Sequence, residues 1–301
     1  MSAPGPWSWQ LQHVVFPRDL RRRRAARNVA PAADPPADAP ASLPTPPDVA
    51  DPFVAWLFAR AGLSAAHYRP ETLRRRLPAC LRTLRARSPE HARQLLERSP
   101  DLVAAAVSAL LVGVTTFFRD AEPFALLGGL LPELAGPQPG VHAWSAGCSD
   151  GAELYSVALL LAEAGLLAGS YLLGTDCRPD AIRRARDGRF DTAAIRAVPP
   201  ELLRRYFEFR DGAWEVTAAV RRAVRWRAGD VLTTPEPGVW DVILFRNTAM
   251  YMRADAAYPL WERFEQALRP GGVLVLGKAE RPAGATRLAA VGPCVFRRTR
   301  G

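Results

Sequence analysis

Apolar residues along this chain recur at two spacings, and the change between them falls near residue 113. From 51 to 112 the spacing is helical. Phe53, Val54, Trp56, Leu57 and Phe58 make the apolar face of one short helix. Leu102, Val103, Ala106, Val107, Leu110 and Leu111 return at helical intervals in another. Ser88-Pro89 and Ser99-Pro100-Asp101 are helix starts. Each pairs a serine that accepts from a free N–H with a proline at a position where no N–H is needed. No strand signal interrupts this stretch, which predicts a helical domain over 51–112.

Beyond 113, short apolar runs alternate with helical stretches. Val141–Ala146, Ser170–Thr175, Val224–Ala228, Trp240–Phe245, Gly272–Gly277 and Val295–Arg298 read as strands. Ala121–Leu134, Ala152–Leu166, Pro179–Asp187, Pro200–Tyr206 and Ala254–Leu268 read as helices. This alternation predicts an α/β domain over 113–301, a mostly parallel sheet with helices on both faces. The Arg269-Pro-Gly-Gly272 turn is expected to lead into a late hairpin, which would make the last strands antiparallel.

Composition narrows the class. The 301 residues are 49% hydrophobic, enough for a real core. No run reaches the roughly 18 apolar residues of a membrane span, so the chain is not expected to be membrane-embedded. The opening Met-Ser-Ala-Pro-Gly-Pro-Trp lacks the pattern of a secretory signal. Cys80, Cys148, Cys177 and Cys294 are scattered without ligand spacing, which argues for a reducing cytoplasm and against a metal site. Residues 1–50 hold ten of the 28 prolines, the run Arg21–Arg24 and the low-complexity stretch Pro31 to Pro47, and are expected to be disordered. The net charge of +10 suits an acidic partner, although an arginine-rich, GC-biased composition produces the same number.

The chemistry gathers at the predicted strand ends, where open α/β sheets bind ligands. The first strand runs into Gly147-Cys-Ser-Asp-Gly151 and a helix with Glu153 in its first turn. Glycines there let a ligand approach backbone N–H groups. The spacing is not that of a dinucleotide site, which leaves a nucleoside cofactor without a pyrophosphate, S-adenosylmethionine being the obvious one. The second strand ends in Asp176, an acid placed to accept from a ribose diol. Gly229-Asp230-Val231 ends a further strand, and Arg246-Asn247 the central one. Each also has a structural use: Asp176 as a cap for the helix begun at Pro179, Asp230 in a turn, Arg246 in an ion pair.

Several segments together resemble the chemotaxis receptor glutamate methyltransferases of the CheR type. They are Val114-Thr-Thr-Phe-Phe-Arg-Asp120, Trp144 to Ser156, Gly174-Thr-Asp176, Ala185-Arg-Asp-Gly-Arg-Phe190, Leu203-Arg-Arg-Tyr-Phe207, Asp241 to Asn247 with Tyr251, and Leu268-Arg-Pro-Gly-Gly272 with Gly277 and Glu280. The resemblance implies a class I, Rossmann-like S-adenosylmethionine-dependent methyltransferase, with S-adenosylhomocysteine as product. It implies a helical domain before the sheet and a small β-subdomain over about 207–228. It assigns Thr115, Arg119, Gly147, Glu153, Asp176, Asp230, Val231, Arg246 and Asn247 to the cofactor. Tyr251 falls beside the transferred methyl, where it either positions the acceptor or packs at the strand end, and Arg119 either holds the cofactor's carboxylate or steers the incoming one. Arg74, Arg75 and Arg82 fall on a basic helix used for substrate, and Pro78 is expected to kink or end that helix.

The implied partner is the cytoplasmic helical region of methyl-accepting receptors, met by a monomer without nucleic acid and recruited to membrane receptor clusters. Gly113 stands in place of a cofactor-contacting asparagine. Ala152, Leu154, Thr248, Ala249 and Lys278-Ala279 are further departures. They keep two alternatives open: a signalling module that binds the cofactor without transfer, and a methyltransferase for another carboxylate. Phe207–Glu215 is short, so tethering to a receptor tail peptide is not expected.

Overall fold

The computed structural model describes residues 51–300 except 112, 114, 137, 138, 235, 237 and 286. The expectation for residues 1–50 lies outside them. Four helices come first: α1 (Pro52–Arg60), α2 (Pro70–Thr83), α3 (Pro89–Arg98) and α4 (Val103–Leu110). Asp51 caps α1, its Oδ1 accepting from Phe53 N at 2.9 Å, and Ser88 caps α3 by accepting from His91 N. Leu57, Phe58, Leu73, Cys80, Leu96 and Leu110 are buried together between these helices. Pro78 does not end α2, which continues to Thr83. Pro78 is exposed and removes only the donor to the Arg74 carbonyl, while Leu73 and Cys80 hold the opposite face in the core.

Seven strands form the main sheet: β1 (His142–Ala146), β2 (Tyr171–Asp176), β6 (Val224–Ala228), β7 (Trp240–Phe245), β8 (Leu268–Leu276), β9 (Leu288–Gly292) and β10 (Val295–Arg298). Their spatial order is β6-β2-β1-β7-β8-β10-β9. The first five in that order run parallel, and β10 lies antiparallel between β8 and β9. The order reverses between β1 and β7, which is the switch point where such sheets open a crevice at their carboxyl edge. The strands read from the sequence are all present. β9 was not read, because Leu-Ala-Ala-Val-Gly is an exposed edge with little alternation. Arg269-Pro-Gly-Gly272 is not a separate turn. It bulges within β8, where Trp240 pairs with Leu268 and Val242 next pairs with Val273.

Around the sheet lie α5 (Ala121–Ala135), α6 (Ala152–Glu163), α7 (Pro179–Asp187), α8 (Thr192–Ile195), α9 (Pro200–Tyr206), α10 (Ala218–Ala223) and α11 (Ala254–Ala267). A second, three-stranded sheet is made of β3 (Arg189–Phe190), β4 (Phe207–Arg210) and β5 (Ala213–Val216). The stretch 207–228 therefore divides. Its first half supplies β4 and β5, its middle is α10, and its last five residues are β6 of the main sheet.

Aromatic packing fixes the layer above the sheet edge. Phe117 is fully buried with its ring 4.8 Å from Phe190 and 5.1 Å from Phe207, both edge-on. Phe118 N donates to Ser156 Oγ on α6. These two phenylalanines hold the 115–119 segment over the glycine turn. Trp226 of β6 lies against Gly174 and Gly151, where a Cβ would come within 2.4 Å and 2.6 Å of its ring. Gly151 is thus a packing glycine rather than one bared for a ligand. Gly174→Ala is expected to force the Trp226 ring aside and cost about 1–3 kcal/mol. Urea denaturation reads this directly, and unchanged stability would contradict the packing described.

Candidate functional site

One crevice opens at the carboxyl ends of β1, β2, β6 and β7. Its lining includes Thr115, Arg119, Gly147, Glu153, Asp176, Asp230, Val231, Arg246, Asn247 and Tyr251. These ten span 137 positions of sequence, from 115 to 251, and the sheet brings them to one place. Arg74, Arg75 and Arg82 are not among them. They stand exposed on α2.

The glycine turn is shaped by its own backbone. Gly147 N and Cys148 N donate to the Thr175 carbonyl, and Gly147 and Gly151 both take positive φ. Ser149, at φ 54°, turns its N–H onto Asp176 Oδ2 at 2.9 Å and its hydroxyl onto the Gly113 carbonyl at 3.0 Å. Asp176 is the most heavily bonded acid of the crevice. Its Oδ1 accepts from Arg178 N at 3.0 Å and Arg178 Nε at 2.9 Å, and its Oδ2 also accepts from Arg178 Nη2 at 3.1 Å. Arg178 further donates from Nη1 to the Leu111 carbonyl at 2.9 Å.

Glu153 and Arg246 form a buried network beneath. Glu153 accepts from Ser145 Oγ at 2.9 Å and Arg246 Nη1 at 3.2 Å. Burial pushes the Glu153 carboxyl above its ordinary value, and the Arg246 charge pulls it back. Arg246 also donates to the Arg119 carbonyl and Asp120 Oδ2, and its guanidinium stacks 5.1 Å from the Phe124 ring centroid. It therefore ties the central strand to the 119–124 segment. Glu280 supports the neighbouring loop. Its two oxygens accept from the backbone N–H groups of Asn247, Thr248, Ala249 and Gly277 at 2.8–2.9 Å.

Asp230 is different. Oδ1 accepts from Leu232 N at 3.0 Å, but Oδ2 is buried with no hydrogen-bond partner among the described residues. Burial raises its carboxyl above the ordinary range, opposed by the Leu232 N–H and the His67 and Arg263 charges. A buried acceptor of this kind in a crevice wall can take a donor from a ligand or from an ordered water.

The helical segment closes one side. Tyr68 lines the crevice and pairs with Met252, while Arg69 N donates to the Tyr251 carbonyl at 3.0 Å and Arg69 Nε to the Met252 carbonyl at 2.9 Å. Sequence reasoning missed Tyr68, Ser149, Arg178 and Thr248. Arg178 was within reach, because it stands two residues after Asp176. Tyr68 carried no signal, since its partner is far along the chain.

Sheet order and crevice together define a class I methyltransferase that takes S-adenosylmethionine as its methyl source. The model of the CheR methyltransferase, SAM binding domain, matches residues 113–291. The chain belongs to that family. It is 35% identical to chemotaxis protein methyltransferase 1 of Pseudomonas aeruginosa over 186 residues, 58% of this chain and 68% of the relative. It is 34% identical to the Vibrio cholerae chemotaxis protein methyltransferase 1 over 62% of this chain and 71% of the relative. A Listeria monocytogenes chemotaxis protein methyltransferase is 26% identical over 73% of this chain and 85% of the relative.

The residues present fit an adenosyl sulfonium compound. The unpartnered Asp230 oxygen suits an exocyclic amino group, the Asp176 carboxylate is of the kind that accepts from a ribose diol, and Gly147 leaves the turn open except for Thr248, whose Oγ1 would lie 2.9 Å from a Cβ.

Asp150, in the same turn, gives a pH test. Burial pushes its carboxyl up to about 6, against the Arg184 charge and the Ala152 N–H. A folded value above the unfolded one stabilises the protein fully below the unfolded value and loses that contribution as pH rises through about 6. Asp150→Asn is expected to leave stability near wild type at pH 4 and to raise it by on the order of 1–2 kcal/mol at pH 8. Urea titrations at the two pH values check this, and an equal difference at both would refute it.

Proposed function

We propose that this protein methylates glutamate carboxylates on the cytoplasmic helices of chemotaxis-type receptors. The observation that carries the reading is the convergence of Asp176, Asp230, Gly147, Arg119 and Tyr251 on one crevice at the switch point. When bound there, S-adenosylmethionine supplies an electrophilic methyl group on a sulfonium.

The protein has little covalent work to do. A glutamate side chain, with a pKa of about 4.3, is already ionised at neutral pH, so no general base is required. Anion and cation combine into neutral products, so excluding water favours the transition state over the separated charges. The remaining task is alignment. Asp176 and Asp230 hold the nucleoside at ribose and base. Arg119, exposed at the rim, draws in and orients a carboxylate. Tyr251, half-buried in the lining of the same crevice, positions the acceptor through its hydroxyl. Glu153 and Arg246 act by holding the segments that carry these groups.

The receptor is met by α2. Arg74, Arg75 and Arg82 are exposed and, among the described residues, make no ion pair, which leaves them for acidic receptor helices.

Four outcomes are expected. Labelled methyl from S-adenosylmethionine transfers to a receptor cytoplasmic fragment as a base-labile ester, and Arg119→Ala lowers kcat/KM by about tenfold to a hundredfold. Base-stable label would rule out a carboxylate acceptor. Replacing Arg74, Arg75 and Arg82 by alanine raises KM for the receptor fragment and leaves S-adenosylhomocysteine affinity unchanged. The wild-type KM rises with salt as screening weakens the same contact. A KM indifferent to both changes would remove α2 from the docking surface.

A further inference from the structure

The carboxylate of Asp176 has no acceptor capacity left. An ionised carboxylate offers about four lone-pair sites. Here Oδ1 takes Arg178 N and Arg178 Nε, and Oδ2 takes Ser149 N and Arg178 Nη2. Two of these donors are backbone groups fixed by the glycine turn and by the start of α7. The other two belong to one guanidinium, a planar fork that meets both oxygens at once. A vicinal ribose diol presents the same two-donor fork to the same two oxygens. Both cannot be accommodated.

We propose that Arg178 is an internal competitor for the ribose site, and that the methyl donor and its product bind only by displacing its guanidinium from Asp176. This rests on the donor-site reading given above. Three observations support it. Arg178 and Asp176 are both buried and both line the crevice, so the pair is inside the site and not on its rim. The space the guanidinium occupies exists because residue 113 is glycine. A Cβ there would lie 2.3 Å from Arg178 Nη2, 2.5 Å from Nη1 and 2.3 Å from Ser149 Oγ. A second seat is available in the same turn. Asp150 Oδ1 is buried without a partner among the described residues, and the Asp150 carboxylate already feels the Arg178 charge.

The competition has a consequence for coupling. In the closed arrangement Arg178 also holds the Leu111 carbonyl, just past α4. Displacing the guanidinium releases that bond, so occupancy of the ribose site and the attachment of the helical segment are linked through one side chain. Arg178 is here a positioning residue, setting affinity without touching the reacting atoms.

The test is calorimetric titration of S-adenosylhomocysteine, and of an analogue lacking the 2′- and 3′-hydroxyls, into the full chain and two variants. Arg178→Met removes the fork and keeps the bulk. Gly113→Ala keeps the arginine and crowds its guanidinium together with the Ser149 hydroxyl, so Ser149→Ala is titrated beside it as the control for the second contact. Arg178→Met and Gly113→Ala are expected to bind S-adenosylhomocysteine about tenfold tighter than wild type, because the binding-competent state no longer has to be won from a closed one. The gain should vanish for the analogue without the diol, which a merely structural role of Arg178 would not produce. If wild type binds and neither variant is tighter, the competition is refuted while the donor site stands. If none of the three proteins binds S-adenosylhomocysteine, the donor-site reading fails and the competition with it.

Discussion

A buried carboxylate must be met by donors, and the architecture of this crevice follows from that requirement. Glu153, Asp176 and Glu280 are all buried at the carboxyl edge of the sheet. An unpaired charge there would cost several kcal/mol. Glu280 is met by four backbone N–H groups, and in accepting them it fixes the loop that carries Asn247 through Ala249. Glu153 is met by Ser145 and Arg246, and Arg246 in turn anchors the 119–124 segment. Asp176 is met by the glycine turn and Arg178. Each acid thus organises a different wall, whereas Asp230, like Asp150 in the glycine turn, has a buried oxygen without a partner among the described residues.

These walls suit a reaction that needs alignment more than chemical intervention. Methyl transfer to a carboxylate calls for no metal, no nucleophilic side chain and no base. What it needs is a rigid frame that excludes water, and the frame here is charged but internally paired. Arg119 and Tyr251, the residues we propose for the reaction, sit on segments positioned by others: the first by Phe117, Phe118 and Arg246, the second by Arg69 and the Glu280-bound loop. Changes to these supports are therefore felt at the opening as misplacement.

Much of this was legible in the sequence because its signals are local. The alternating runs beyond 113 marked the parallel strands, and the polar residues at their ends marked the crevice. What was not legible depends on distant partners. Gly151 reads as a ligand-facing glycine until Trp226 is seen against it. Arg246 reads as a ligand residue or as half of an ion pair, and its partners Glu153, Asp120 and the Arg119 carbonyl lie too far along the chain to be named from the sequence. Pro78 reads as a helix breaker, and burial of Leu73 and Cys80 keeps α2 intact past it. Gly113 reads as a lost contact, and its meaning appears only beside Arg178.

The strap between residues 67–69 and 251–253 bears on the order of assembly. Arg69 and Met252 are 183 positions apart. On a ribosome the four helices emerge early and can fold among themselves, yet the edge they share with the sheet has no counterpart until most of the chain has been made. Closing so wide a loop is entropically slow. The mouth of the crevice therefore rests on contacts of high sequence separation, which cannot form until the segment at 251–253 has been made.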